Sequence, residues 1–175
     1  SYANITIPYY EPKNNSSRKE TILQLNADAY NLENGKVVRT KMKKDLVFKE
    51  RISDNYMQLK FSVPQVKEGT VIEYEYQCQS DLYYLIDDWK AQDEIPTLYT
   101  EYDITIPEYF KFNVDMHGFE PLSNKETPCN ANFSINGHAL QCSATNIQFK
   151  GYKLPALKDD NYVWCLDDYC TQVGF

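Results

Sequence analysis

The chain has 175 residues, 42% of them hydrophobic and 25% charged, the size of one ordinary domain and enough to bury a core without metals or staples. Its 18 Lys and Arg against 25 Asp and Glu leave a formal charge of −7, which repels a phosphate backbone and argues against a nucleic-acid partner. Fifteen Tyr, 8 Phe and 2 Trp beside only 6 Gly and 8 Pro exclude a disordered or collagen-like chain, and no apolar run approaches the ~20 residues of a membrane-spanning helix.

Ser1 leads at once into the alternating run Ala3-Asn4-Ile5-Thr6-Ile7, with no basic stretch and apolar core before it, so the chain reads as a piece of a longer protein. Lys13-Asn14-Asn15-Ser16-Ser17 reads as a loop. Asn34-Gly35 then closes Ala29-Tyr30-Asn31-Leu32 onto Lys36-Val37-Val38, since both turn residues tolerate positive φ. The basic cluster from Arg39 to Lys44 reads as a solvated strand end. Met57, Leu59, Phe61 and Val63 alternate with polar neighbours, and so do Ile72, Tyr74, Tyr76 and Cys78. Lys67-Glu68-Gly69-Thr70 between them predicts that these two strands are antiparallel neighbours, with Cys78 buried on the apolar face.

Further along, Tyr102, Ile104 and Ile106 keep the period of two, and Phe110, Phe112 and Val114 continue it after the break at Pro107-Glu108. Asn136-Gly137 predicts a third hairpin. Lys158-Asp159-Asp160-Asn161 reads as a short helical turn, and Thr171 to Phe175 as an extended segment. No stretch carries the helical spacing that parallel βαβ units require. The expectation is therefore an all-β chain with little or no helix, its antiparallel strands arranged as a two-sheet β-sandwich in a single domain over residues 1–175.

Five cysteines leave at least one unpaired within the chain. Cys129 and Cys142 flank the predicted Asn136-Gly137 turn, where a bulge would bring them to disulfide distance, so this bridge is the expected one. Cys165 and Cys170 bracket a second tight turn. None has the Cys-x-x-Cys spacing of a zinc or thioredoxin-like site, and no motif implies a cofactor.

Nucleophilic catalysis needs a thiol or hydroxyl with a His in reach. His117 reads as a loop residue and His138 as an exposed hairpin residue, so pairing of Cys165 with His117 is the weakest of the functional readings. The acidic pairs Asp87-Asp88, Asp93-Glu94, Asp159-Asp160 and Asp167-Asp168 sit where adjacent side chains diverge, and read as solvated turns. Tyr83, Tyr84 and Trp89, with Tyr99 and Tyr102 nearby, offer either ordinary strand packing or a platform on which a glycan or peptide would stack.

Several runs in one order carry a resemblance. The stretch from Ala29 to Val38, then Lys60-Phe61-Ser62-Val63-Pro64-Gln65-Val66-Lys67-Glu68-Gly69-Thr70, Asp88-Trp89-Lys90-Ala91-Gln92-Asp93-Glu94-Ile95-Pro96, Thr100-Glu101-Tyr102 and Leu154-Pro155-Ala156-Leu157-Lys158-Asp159-Asp160 resemble the domain of unknown function found N-terminal to transglutaminase-like domains in bacterial cell-envelope proteins. The resemblance spans roughly residues 27 to 175. It implies an immunoglobulin-like sandwich and a location outside the cytoplasm, in the periplasm or envelope of a Gram-negative bacterium. It further implies an accessory, non-catalytic part, with upstream strands and a downstream transglutaminase-like domain, a cysteine hydrolase by its family's chemistry, as the partner in the same chain. No residue here matches that hydrolase chemistry, so the chain itself is expected not to be an enzyme.

Overall fold

The computed structural model describes residues 3–14, 18–82, 84–135, 138–158 and 164–175. Its contacts divide the chain into two compact units, 1–84 and 85–175, where the sequence leads one to expect one domain. Nearly all of the regular structure is β, every ladder is antiparallel, and no α-helix occurs among the described residues.

The first unit contains β1 (Asn4–Tyr10), β2 (Glu20–Glu33), β3 (Lys36–Lys41), β4 (Val47–Arg51), β5 (Tyr56–Ser62) and β6 (Val71–Ser80). They form two three-stranded sheets, β1-β5-β4 and β3-β2-β6. The β2-β3 hairpin turns on Asn34 at φ +50° and Gly35 at φ +76°, the two positive angles that this tight turn demands. Both sheets feed one core: Ile7 and Tyr9 come from β1, Leu59 and Phe61 from β5, and Ala27 and Ala29 from β2. Each large apolar side chain so enclosed contributes roughly 1.5–3 kcal/mol. The Phe61 ring meets Tyr74 edge-on across the two sheets, centroids 6.2 Å apart.

That contact corrects the expected pairing of the Phe61 and Ile72 strands. The turn exists, with the Thr70 amide donating to the Lys67 carbonyl at 3.0 Å, as in a β-turn, and Gly69 at φ +84°. However, it joins strands in different sheets. The connection over 63–70 is long enough to cross, and the buried Asn31 side chain pins it by donating to the Gln65 carbonyl at 2.9 Å and accepting from the Thr70 hydroxyl at 2.6 Å. Cys78 is also corrected, from buried to exposed. It lies near the end of β6, where every residue from Glu73 to Ser80 is exposed.

The second unit contains β7 (Trp89–Lys90), β8 (Thr97–Pro107), β9 (Asp115–His117), β10 (Ser123–Ile135), β11 (His138–Leu154) and β12 (Gln172–Gly174). Here the sheets are β10-β11-β8 and β7-β12-β9. Ile147, Phe149 and Val173 form the buried centre, with Trp89, Tyr102, Ile104 and Leu122 packed around it. Thus the C-terminal segment read as extended becomes the middle strand of the small sheet. The alternation at Phe110, Phe112 and Val114 does not form a strand, because the turn at 107–110 leads the chain away from a ladder; the two Phe rings instead stack on each other, 6.2 Å apart.

Asn136 and Gly137 lie outside the described residues, but the register on either side pairs Ile135 with His138. The ladder between β8 and β11 runs only from Ala144 to Leu154, so the stretch from Ala131 and Cys142 to that end is paired in two strands alone. Asp159, Asp160 and Asn161, read as a helical turn, also lie outside the described residues. A 3-10 turn occurs at Leu166–Tyr169.

Candidate functional site

Trp89 is half-buried and stacks on Tyr102, ring centroids 5.5 Å apart at 21°, and Tyr102 meets Phe175 at 5.5 Å. Its indole is therefore part of the second unit's core. Tyr84 belongs to the first unit and stays exposed; the Arg18 guanidinium donates to its hydroxyl at 3.2 Å and lies 5.3 Å from its ring centroid. Tyr83, the third member of the expected platform, lies outside the described residues.

The disulfide expected between Cys129 and Cys142 is not formed, and both are free thiols. Cys129 pairs in register with Ala144 and Cys142 with Ala131. Such diagonal neighbours stand ~7–8 Å apart, beyond the reach of a disulfide. Cys165 and Cys170 are also free: Cys165 is exposed, while Cys170 is fully enclosed, and the 3-10 turn between them keeps the two in different environments. His117 ends β9 rather than lying in a loop, with its ring 3.1 Å from Asp115. His138, as expected, is an exposed first residue of β11. No metal-holding cluster of His, Cys, Asp and Glu occurs among the described residues.

Sequence reasoning missed the outer face of the β3-β2-β6 sheet. Alternation turns Ala27 and Ala29 to the core and places Asn26, Asp28 and Tyr30 on the other face. Register then sets Asp28 between Lys41 of β3 and Glu73 of β6. Asp28 is only 7% exposed. Its Oδ2 accepts from Arg39 at 2.6 Å, and this bond holds the Asp28 carboxyl below its ordinary pKa. Arg39 also lies 5.7 Å from the Tyr30 ring, and the Tyr30 hydroxyl donates to Glu73 at 2.8 Å. Asn26 donates to Glu75 at 3.0 Å. A cavity of about 310 Å³ opens over this network, lined among others by Asp28, Arg39, Lys41, Lys44, Glu73 and Glu75. The signal was present in the sequence as the basic run from Arg39 to Lys44, but its acidic complement lies some thirty residues away, on a strand that only the fold brings beside it.

A second polar face covers β8 and β11. Asn146 donates to Asp103 at 2.5 Å, Gln148 to Glu101 at 2.5 Å, and the Tyr99 hydroxyl donates to Glu101. A carboxylate that accepts this hydrogen bond favours the neutral phenol, so the Tyr99 pKa is pushed up to about 12. The hydrogen bond therefore persists through neutral and mildly alkaline pH and is lost only as pH rises through that value. Ultraviolet titration of the chain against Tyr99→Phe is expected to place this phenol near the top of the tyrosine range, and Glu101→Gln to return it toward the ordinary value near 10. A Tyr99 that titrates normally would show that the bond does not form in solution.

The second unit also leaves large apolar side chains in water. Phe119, 77% exposed, packs its ring 5.7 Å from that of Tyr169, and Trp164 is fully exposed. Phe175, in contrast, is taken up by the unit's own core.

A family model described as Domain of Unknown Function with solved-structure structure (DUF3857) matches residues 1–137. The C-terminal run from Leu154 used for the resemblance lies beyond that match. The crystal structure of a protein described as a putative protease from Parabacteroides distasonis is similar in fold, with a TM-score of 0.60 at 13% identity. The likeness covers 98% of this chain and 32% of that one, so the chain spans about a third of the other's length. No curated protein matches the chain.

Proposed function

Because the chain belongs to the DUF3857 family, a domain of unknown function, we propose that it is a non-catalytic accessory module that packs against, or positions, a neighbouring transglutaminase-like domain of a longer protein. In this reading its strands form immunoglobulin-like sandwiches, it works outside the cytoplasm, and the hydrolytic chemistry belongs to the neighbour. The observation that carries it is the exposed Phe119 and Tyr169 pair. Contiguous exposed apolar patches mark sites of protein–protein contact, and this adjoining pair is where such a contact would be made. The likeness to about a third of a chain described as a protease agrees with a part-to-whole relation.

Calorimetric titration of this chain with the remaining portion of its parent protein is expected to show binding with a negative heat-capacity change, the signature of buried apolar area. The double variant Phe119→Ala, Tyr169→Ala is expected to weaken it at least about tenfold, a modest loss for two interface aromatics. A folded chain that gives no heat at two temperatures would sink the docking role.

A further inference from the structure

From the cavity over the β3-β2-β6 sheet we infer a binding site for a small zwitterion, a free amino acid or the unblocked ends of a short peptide. Strand order separates the charges. Arg39 and Lys41 stand on β3 with Lys44 just beyond it, Glu73 and Glu75 stand on β6, and Asp28 lies on the central strand. Three cations and three carboxylates cancel in sum, yet the basic row and the acidic row lie on opposite sides of β2. Such a lining repels neither sign and favours a ligand that carries both.

The unused bonding capacity has the same polarity. Among the described residues neither Lys41 nor Lys44 forms an ion pair at contact distance, although Lys41 stands beside Asp28, so the basic side has charge to offer an anionic group. On the other side Asp28 uses one oxygen only: Oδ1 is buried without a hydrogen-bond donor. A buried carboxylate oxygen without a donor is costly, and an ammonium group supplies three donors. The half-exposed Arg39 side chain holds the neighbouring Oδ2, and in this proposal it swings aside for a ligand to reach Oδ1. In the bound state the ligand's ammonium takes Asp28 with Glu73 beside it, and its carboxylate takes Lys41, Lys44 and the displaced guanidinium.

Dimensions agree. Adjacent strands are ~4.8 Å apart, so the two charged rows are separated by roughly 10 Å at the backbone. An extended dipeptide spans about 7 Å, between the roughly 5 Å that separates Asp28 on β2 from the basic strand and the roughly 10 Å that separates the two outer rows. The cavity of about 310 Å³ admits a ligand of that size.

The test is a heteronuclear NMR titration of the whole chain with L-alanyl-L-alanine and, separately, with its N-acetylated and C-amidated form. The unblocked dipeptide is expected to shift amides of Asn26–Tyr30, Arg39–Met42 and Glu73–Glu75 saturably, and the doubly blocked form to leave them in place. The variant Lys41→Met, Lys44→Met keeps the Asp28 and Arg39 pair, and thus the fold, while weakening binding at least about tenfold, since it removes two charge-assisted contacts. No saturable shift up to about 10 mM, well above a millimolar Kd, would overturn the site. So would an equal response to the blocked dipeptide, or undiminished binding by the lysine variant.

Discussion

Phe149→Ala is expected to destabilise the second unit by about 3–5 kcal/mol, the cost of removing a buried phenyl and leaving its cavity. Phe149 is 1% exposed on β11, the central strand of its sheet, opposite Tyr102 on β8 and Asn124 on β10. Its neighbours in the core, Ile147 and Val173, come from two different sheets. Neither sheet can collapse into the space without giving up its ladder. Stabilities of small domains are about 5–15 kcal/mol, so the variant is expected to stand near the edge of folding. Both tryptophans, Trp89 and Trp164, belong to this unit, so a urea transition followed by indole fluorescence reports on it selectively. Phe149→Leu, which keeps much of the volume, is expected to cost under about 1.5 kcal/mol. A loss below about 1 kcal/mol for the alanine variant would mean that the core is not organised around this ring.

Gly118→Ala has the second large effect, for a backbone reason. Gly118 sits at φ +99°, and a Cβ built there would stand 2.4 Å from the Thr171 Cα and 2.7 Å from the Cys170 carbonyl oxygen. Main-chain atoms cannot step aside as a side-chain tip can. The segment they belong to leads directly into β12, the middle strand of the small sheet. Positive-φ strain and steric overlap together are expected to cost about 3 kcal/mol or more, a fall in Tm of roughly 12 °C or more for a unit of this size. Gly35→Ala is the control: it too has positive φ, +76°, but open space around the added methyl, and only the conformational cost of about 1–2 kcal/mol applies. Equal losses for the two variants would show that the backbones at 118 and 171 do not approach as closely as described.

What could be read from the sequence was local. Asn34-Gly35 fixed a hairpin because its two residues are the ones that accept the turn's angles, and the period of two marked β1, β5, β6 and β8. Alternation says which face a residue takes, but not which strand lies beside it. Hence the Phe61 and Ile72 strands looked like a hairpin although residues 63–70 carry the chain across to the other sheet, where Asn31 holds them. Phe110, Phe112 and Val114 alternate without a ladder for the same reason: period is necessary for a strand, not sufficient. The division into two units left no mark in composition, since the residues on either side of the boundary at Tyr84 and Leu85, from Ser80 to Lys90, hold no Pro or Gly. The Asp28 cavity was equally hidden, because complementary charges on β3 and β6 become neighbours only through the strand between them.

The long β10-β11 hairpin changes character along its length. From Ala144 to Lys150 β11 is flanked on both sides, while on the turn side of Ala144 it has β10 alone. Two strands without a third are marginal in water, so this arm is able to open while the rest of the unit stays closed. Cys142 marks the junction: it is buried while the arm is closed. Its thiol thus becomes reachable through a local fluctuation, on a timescale set by the arm. Cys170, enclosed beside the middle strand of the other sheet, waits for the whole unit to unfold. Two thiols of one fold then react at rates governed by two different opening equilibria, one partial and one global.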